Sequence, residues 1–251
     1  MHKFFVSQDN IESDIAFIEG EDVKHIYKVL RLEEGEKVNI NNCQGEEYIG
    51  EIVDINKSSV QVKLLEKLEI NNESPIEVYL YQGFPKGPKM DLISQKCTEL
   101  GIKEITPVIT KRVLSSLGEI NRDTKKIDRW NKIAFEACKQ SKRTNVPVIN
   151  DVIDFKELIN QLKDMDLVVA PYENAEGYGI RQMVNSLKKE VKTVGIVIGP
   201  EGGFEEEEIT SLKTIGANII TLGPRILRTE TAGFVCLSLI MYELGDLGGK
   251  F

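Results

Sequence analysis

Two short stretches in the last quarter of the chain carry residue types and spacings that could do chemistry. The first is Gly199-Pro200-Glu201-Gly202-Gly203-Phe204, which leaves an apolar run and opens a segment beginning Glu205-Glu206-Glu207-Glu208. Paired glycines permit positive φ and let backbone N–H and C=O groups approach a flat heterocycle closely. A wall of carboxylates is a poor place for a phosphate, and the stretch has neither G-x-x-x-x-G-K-[ST] nor G-x-G-x-x-G spacing. A neutral or cationic ligand fits instead, and the sulfonium of S-adenosylmethionine is one whose burial nearby carboxylates and carbonyls would offset. A plain tight turn from strand to helix would also use Gly202-Gly203. The second stretch is Leu222-Gly223-Pro224-Arg225-Ile226-Leu227-Arg228-Thr229-Glu230-Thr231-Ala232, which runs into the apolar segment 234–241. It places Arg225, Arg228 and Glu230 at a crowded strand end, where paired charges are expected.

Both stretches need a scaffold, and the pattern upstream supplies one. From residue 75 onward, short Val/Ile-rich runs at 76–82, 105–110, 167–171, 193–199 and 218–222 alternate with helical stripes at 88–100, 124–141, 155–163, 180–188, 205–215 and 229–244. That alternation predicts a doubly wound α/β domain with a mostly parallel sheet, whose ligands belong at the carboxyl ends of strands. The final helix is apolar on nearly every face, which predicts burial against both the sheet and a second subunit, hence a homodimer. Residues 1–70 read differently, with strands at 37–41, 48–55 and 59–65. One helix is expected from Asp22, with Val23, Ile26, Tyr27 and Leu30 on its stripe. The polar segment 69–75, ending in Pro75, reads as the linker between a small β-rich domain (1–70) and the α/β domain (75–251).

The net charge of −8 is unevenly distributed. Residues 1–70 carry eight Lys/Arg against fifteen Asp/Glu, whereas residues 83–147 carry fourteen against seven. A basic region inside an acidic protein is compatible with a nucleic-acid partner and equally with a solvated helix face. Cys43, Cys97, Cys138 and Cys236 are far apart, and His2 and His25 have no ligand-spaced neighbours, so inert thiols and no metal are expected. The opening MHKFFVSQDN lacks a signal-type apolar run and the apolar run 234–242 is too short for a bilayer, from which a cytoplasmic location is expected.

VIGPEGGF (197–204) together with LGPRILRTETA (222–232) resembles the SPOUT class of RNA methyltransferases, and within it the RsmE family of 16S rRNA uridine-N3 methyltransferases. KGPKMDLISQKCTELGI (86–102), TKRV (110–113) and EACKQSKRTNVP (136–147) resemble that family's signatures in the same order. The resemblance implies a C-terminal SPOUT domain with a deep trefoil knot, preceded by a PUA-like RNA-binding barrel. It also implies S-adenosylmethionine as cofactor and 16S rRNA, in the small ribosomal subunit, as substrate. Pro171, Ile198, Gly199, Gly202, Leu222, Gly223 and Leu227 are the expected cofactor contacts, mainly through the main chain. Arg228, Glu230 and Glu201 are the expected catalytic residues: Arg228 to orient the base, and one of the glutamates to accept its proton. Lys86, Lys89, Arg112, Gln140 and Arg143 are the expected RNA contacts. A ribosome-binding assembly factor that kept the fold without the chemistry is the alternative. The intact 199–203 and 227–232 loops speak against it.

Overall fold

The computed structural model describes residues 1–69, 72–113 and 124–249. It divides into two units, residues 1–73 with 142–146, and residues 74–141 with 147–251.

In the first unit, strands β1 (Lys3–Phe5), β2 (Ile11–Glu12), β3 (Ile15–Glu19), β4 (Lys37–Asn41), β5 (Glu47–Ile55) and β6 (Ser59–Leu68) form one sheet in the order β1-β4-β5-β6-β3-β2. β1 and β4 run parallel and the other pairs antiparallel. Alternation does the sorting, since Val60 and Val62 of β6 are fully buried and join Ala16, Ile18, Val38, Ile40 and Ile52 in one core. The short β1, β2 and β3 lack the sequence contrast that marks β4 to β6, and periodicity did not reveal them. The expected helix exists as α1 (Glu21–Lys24), which continues into a π-helical turn, His25–Leu30. The wider i→i+5 winding breaks the 3.6-residue stripe, so Val23 and Ile26 are buried while Tyr27 is exposed.

Residues 142–146 were expected in the second domain, and their hydrogen bonds place them in the first unit. The Thr144 carbonyl accepts from the Gly45 N–H at 3.1 Å, and the Val146 N–H donates to the Cys43 carbonyl at 3.3 Å. The Glu73 carboxylate accepts from the N–H groups of Thr144 (2.8 Å) and Asn145 (2.9 Å) and from Arg143 Nη2 (2.6 Å). Arg143 is 5% exposed. The guanidinium that was expected to contact RNA is buried against a carboxylate, so its charge is met inside the first unit. Burial alone would raise the Glu73 carboxyl. Arg143 and the backbone donors outweigh that effect and hold it below the ordinary carboxylate value.

The second unit has strands β7 (Glu77–Gly83), β8 (Glu104–Ile109), β9 (Val148–Ile149), β10 (Ile153–Asp154), β11 (Leu167–Pro171), β12 (Thr193–Ile198) and β13 (Asn218–Ile220). Their order is β10-β8-β7-β12-β11-β13, with β9 also on β8, and every pair is parallel. Both faces are covered, as the near-continuous apolar strands require. On one face pack α2 (Lys89–Glu99), α3 (Thr124–Ser141), α5 (Ile180–Ser186) and α7 (Thr229–Glu243), over Val78, Leu80, Val194, Ile196 and Val169. On the other lie α4 (Phe155–Leu162) and α6 (Glu206–Thr214), over Tyr81, Val168, Ala170 and Val197. After the edge strand β13 the chain returns over the middle of the sheet, where α7 packs on β7, β12, α2 and α5. This crossing brings the 221–229 loop beside the loop that follows β12.

Cys97 and Cys236 are buried on α2 and α7, where burial pushes both thiols well up and leaves them unreactive. Among the described residues no helix is long and apolar enough to cross a membrane.

Candidate active site

Three strand ends converge on one cavity of about 850 Å³. Its walls come from residues 171–177 after β11, 198–204 after β12, and 221–229 after β13, with Lys89 and Ala232 closing it. Pro171, Ile198, Gly199, Gly202, Leu222, Gly223 and Leu227 all line it. The volume lies in the roughly 300–1,000 Å³ range of small-molecule sites.

Local chemistry fixes the loop after β12. Gly203 sits at φ 72°, a left-handed conformation that glycine adopts without strain, so the turn favours glycine there. At the end of β7, a Cβ on Gly83 would meet the Pro200 nitrogen at 2.5 Å, so Gly83 lets the loop press directly on the neighbouring strand. Phe204 is buried and packs against Gly199, anchoring the far side. The acidic start of α6 is tied down as well as matched to the helix dipole. Glu208 Oε2 accepts from the Glu205 N–H at 2.9 Å, and its Oε1 accepts from the Lys111 N–H at 2.8 Å. Lys111 Nζ also pairs with Glu207.

Arg112, expected as an RNA contact, is turned onto this loop. Its Nε donates to Glu205 Oε1 at 2.8 Å and its Nη1 donates to the Gly202 carbonyl. Lys86 is exposed and Gln140 is exposed at the end of α3, both available to a large partner. Lys89 lies in the cavity wall and is committed to carboxylates. Its Nζ stands 2.8 Å from Glu201 Oε1 and 3.6 Å from Glu230 Oε2.

The expected catalytic residues divide. Arg228 lines the cavity, is exposed and, among the described residues, makes no ion pair, and Arg225 is the same. Pairing at this strand end was expected for them, but Glu230 turns away into a buried position beside Lys89. Glu201 lines the cavity and receives the Lys86 N–H (2.9 Å) and Lys89 Nζ (2.8 Å), both on Oε1. Burial pushes the Glu201 carboxyl up, but the hydrogen bond from Lys89 leads the effects that bring it below the ordinary glutamate value. Glu230 is 9% exposed, and its Oε2 is buried without a hydrogen-bond partner.

Two residues that the sequence did not single out join the loops. Thr229 Oγ1 donates to the Gly199 carbonyl at 2.5 Å and accepts from Gln82 Nε2 at 2.8 Å, while Gln82 Nε2 also donates to the Gly83 carbonyl at 3.0 Å. Gln82 is fully buried and Thr229 nearly so. A polar residue ending an otherwise apolar strand was the available signal for Gln82.

A family model described as an RNA methyltransferase domain matches residues 72–241, and one described as an RNA methyltransferase PUA domain matches residues 18–65. The chain is 38% identical to ribosomal RNA small subunit methyltransferase E of Bacillus subtilis over 99% of both chains. It belongs to this RNA methyltransferase family. Among solved structures of the same fold, a putative methyltransferase of Legionella pneumophila in complex with S-adenosylmethionine is 30% identical, with TM-score 0.79 over 98% of each chain. A ribosomal RNA small subunit methyltransferase E of Neisseria gonorrhoeae bound to S-adenosylmethionine is 27% identical, with TM-score 0.81 over 98% of this chain and 99% of that one. The family thus combines an N-terminal PUA unit with an α/β RNA methyltransferase unit in this chain.

Proposed function

We propose that this protein transfers a methyl group from S-adenosylmethionine to N3 of a uridine in small-subunit ribosomal RNA. The observation that carries the reading is the convergence of three strand-end loops, all seven expected cofactor contacts among them, on one cavity whose wall is rich in backbone groups and carboxylates. Those features fit the cofactor: Ile198, Leu222 and Leu227 offer apolar surface, the glycine edges offer main-chain donors and acceptors, and Glu173, Glu176 and Glu201 offset a sulfonium. When bound, the cofactor supplies an electrophilic methyl carbon.

The chain's own residues then position and deprotonate. The N3–H proton of uracil must leave as the N3–C bond forms and the C–S bond breaks, with that bonding pair staying on sulfur. The Arg228 guanidinium, unpaired at the cavity wall among the described residues, binds a uracil carbonyl and stabilises charge developing there. Of the two expected glutamates, Glu201 is the one on the cavity surface, with its Oε2 outside the contacts from Lys86 and Lys89, and it takes the N3 proton. Glu230, with Oε2 sealed from solvent, does not meet the base directly.

The reading extends to the partners. Leu239 and Tyr242 on α7 are 39% and 60% exposed, and with half-buried Val235 they form an apolar face suited to a second copy of the chain. The substrate is rRNA within the small subunit, the setting is the cytoplasm, and the transfer needs no metal. The test is to incubate the purified protein and labelled S-adenosylmethionine with small subunits from a strain deleted for this gene, then map methylated nucleotides. One N3-methyluridine per subunit is expected. Saturable cofactor binding with no methylation of naked or assembled rRNA would overturn the proposal in favour of a binding protein.

A further inference from the structure

The arrangement of Lys89, Glu201 and Glu230 poses a problem for the reaction. An ammonium 2.8 Å from Glu201 stabilises its ionised form and so weakens it as a base toward N3, whereas catalysis needs its basicity increased. Beside it, a carboxylate oxygen of Glu230 is buried with no hydrogen bond, a costly state that calls for a reason. The two facts have one solution, because Lys89 Nζ is only 3.6 Å from that oxygen. A shift of roughly 0.8 Å along a flexible four-carbon stem would complete the missing bond at ordinary charge-assisted length.

We propose that Lys89 is a two-position ammonium, which pairs with Glu201 in the enzyme before RNA binds and with Glu230 once the uracil is seated, thereby releasing Glu201 to accept the N3 proton. The net charge of the trio is the same in both positions, so no new charge is buried by the move. In the second position Lys89 also completes a hydrogen bond to an oxygen that it only faces at 3.6 Å in the first. Glu201 keeps the Lys86 N–H throughout and so stays oriented. Lys89 and Glu230 act through Glu201 and are positioning residues. The other charged groups of the cavity are Glu173 and Glu176 after β11 and Arg225 and Arg228 after β13, and among the described residues none of them makes an ion pair with the trio. Two residues further along α2, Asp91 is held by Arg129 at 2.6 Å.

This proposal rests on Glu201 as the proton acceptor in the reading above, and pH–rate profiles of the full-length enzyme on small subunits separate the two. For the wild type, the acid limb of kcat, which reports the substrate complex, should lie at higher pH than that of kcat/KM for RNA, which reports the enzyme before RNA binds. Glu230→Gln removes the second station, so the two limbs should merge at the lower value. Its kcat should fall on the order of tenfold, with S-adenosylmethionine affinity within about twofold of wild type. Lys89→Met should merge the limbs at the higher value, and because Lys89 is only half-buried at the cavity wall this variant keeps the test valid if Glu230→Gln fails to fold. Coincident limbs in the wild type, or limbs that stay apart in either variant, would overturn the switch while leaving the methyltransferase intact. A wild-type enzyme that produces no N3-methyluridine overturns the underlying reading instead.

Discussion

Thr229→Val keeps shape and volume while deleting the hydroxyl that ties the cofactor loop to the start of α7. In the native protein that hydroxyl donates to the Gly199 carbonyl at 2.5 Å and accepts from Gln82 Nε2 at 2.8 Å, in surroundings where Thr229 is 6% exposed and Gln82 is fully buried. Gln82 Nε2 retains the Gly83 carbonyl, so the group that loses its hydroxyl donor is the Gly199 carbonyl. Two net hydrogen bonds at about 0.5–1.5 kcal/mol each set the scale, and the stability loss should be about 1–3 kcal/mol. Because Gly199 lines the cofactor cavity, part of that loss should appear in binding. About 1.4 kcal/mol transmitted to the loop weakens the S-adenosylmethionine Kd roughly tenfold. Calorimetric titration and thermal unfolding of wild type, Thr229→Val and Thr229→Ser provide the comparison, and the serine variant should restore affinity to within about twofold because it keeps the hydroxyl. A valine variant that loses stability but binds the cofactor as wild type does would refute the coupling, since Thr229 would then hold α7 without positioning Gly199.

Other perturbations follow from the same geometry. Gly203→Ala places a side chain at a φ of 72° and should cost about 1–2 kcal/mol of stability together with cofactor affinity, as read by unfolding and titration. Arg112→Ala frees the Gly202 carbonyl and Glu205, so its main effect should be a several-fold weaker cofactor Kd with little change in the salt dependence of RNA binding. A loss confined to RNA affinity would restore Arg112 to the RNA surface. Arg143→Met leaves Glu73 buried without its cation and should destabilise the first unit by about 3–5 kcal/mol. The Glu73 carboxyl is depressed in the folded state, so its stabilisation is present above the unfolded-state pKa and fades as pH falls through the folded one. Acid unfolding of the wild type should therefore lose a component that Glu73→Gln lacks, and identical acid transitions would contradict the assignment.

The element pattern of the second unit was legible because parallel strands buried on both faces read as short Val/Ile runs, and the helices between them kept their stripes. In the first unit the strands with clean alternation stood out, whereas β1 to β3 were too short to show a period. The π-helical turn was hidden because residue type does not announce a change of winding. The cofactor loops were visible for a related reason: they act through backbone, and the glycines that permit close approach are themselves a sequence signal. The resemblance to a known family converted those loops into an expected cavity, and its seven lining residues meet in the fold.

The roles of the charged residues were decided only in three dimensions. Lys89, Arg112 and Arg143 are alike as basic residues in one basic region, yet the fold sends Lys89 to Glu201, Arg112 to the Gly202 carbonyl and Arg143 to Glu73. Glu201 and Glu230 were equal candidates by type, and burial separated them, leaving one on the cavity surface and the other sealed behind an ammonium. The amino-acid sequence by itself determines which segments become strands and helices and where the backbone can bend against a ligand, because those depend on neighbours a few residues away. Which carboxylate meets which cation depends on partners far apart in the chain, such as Lys89 and Glu201 at a separation of 112 positions, and only the tertiary fold brings them within reach.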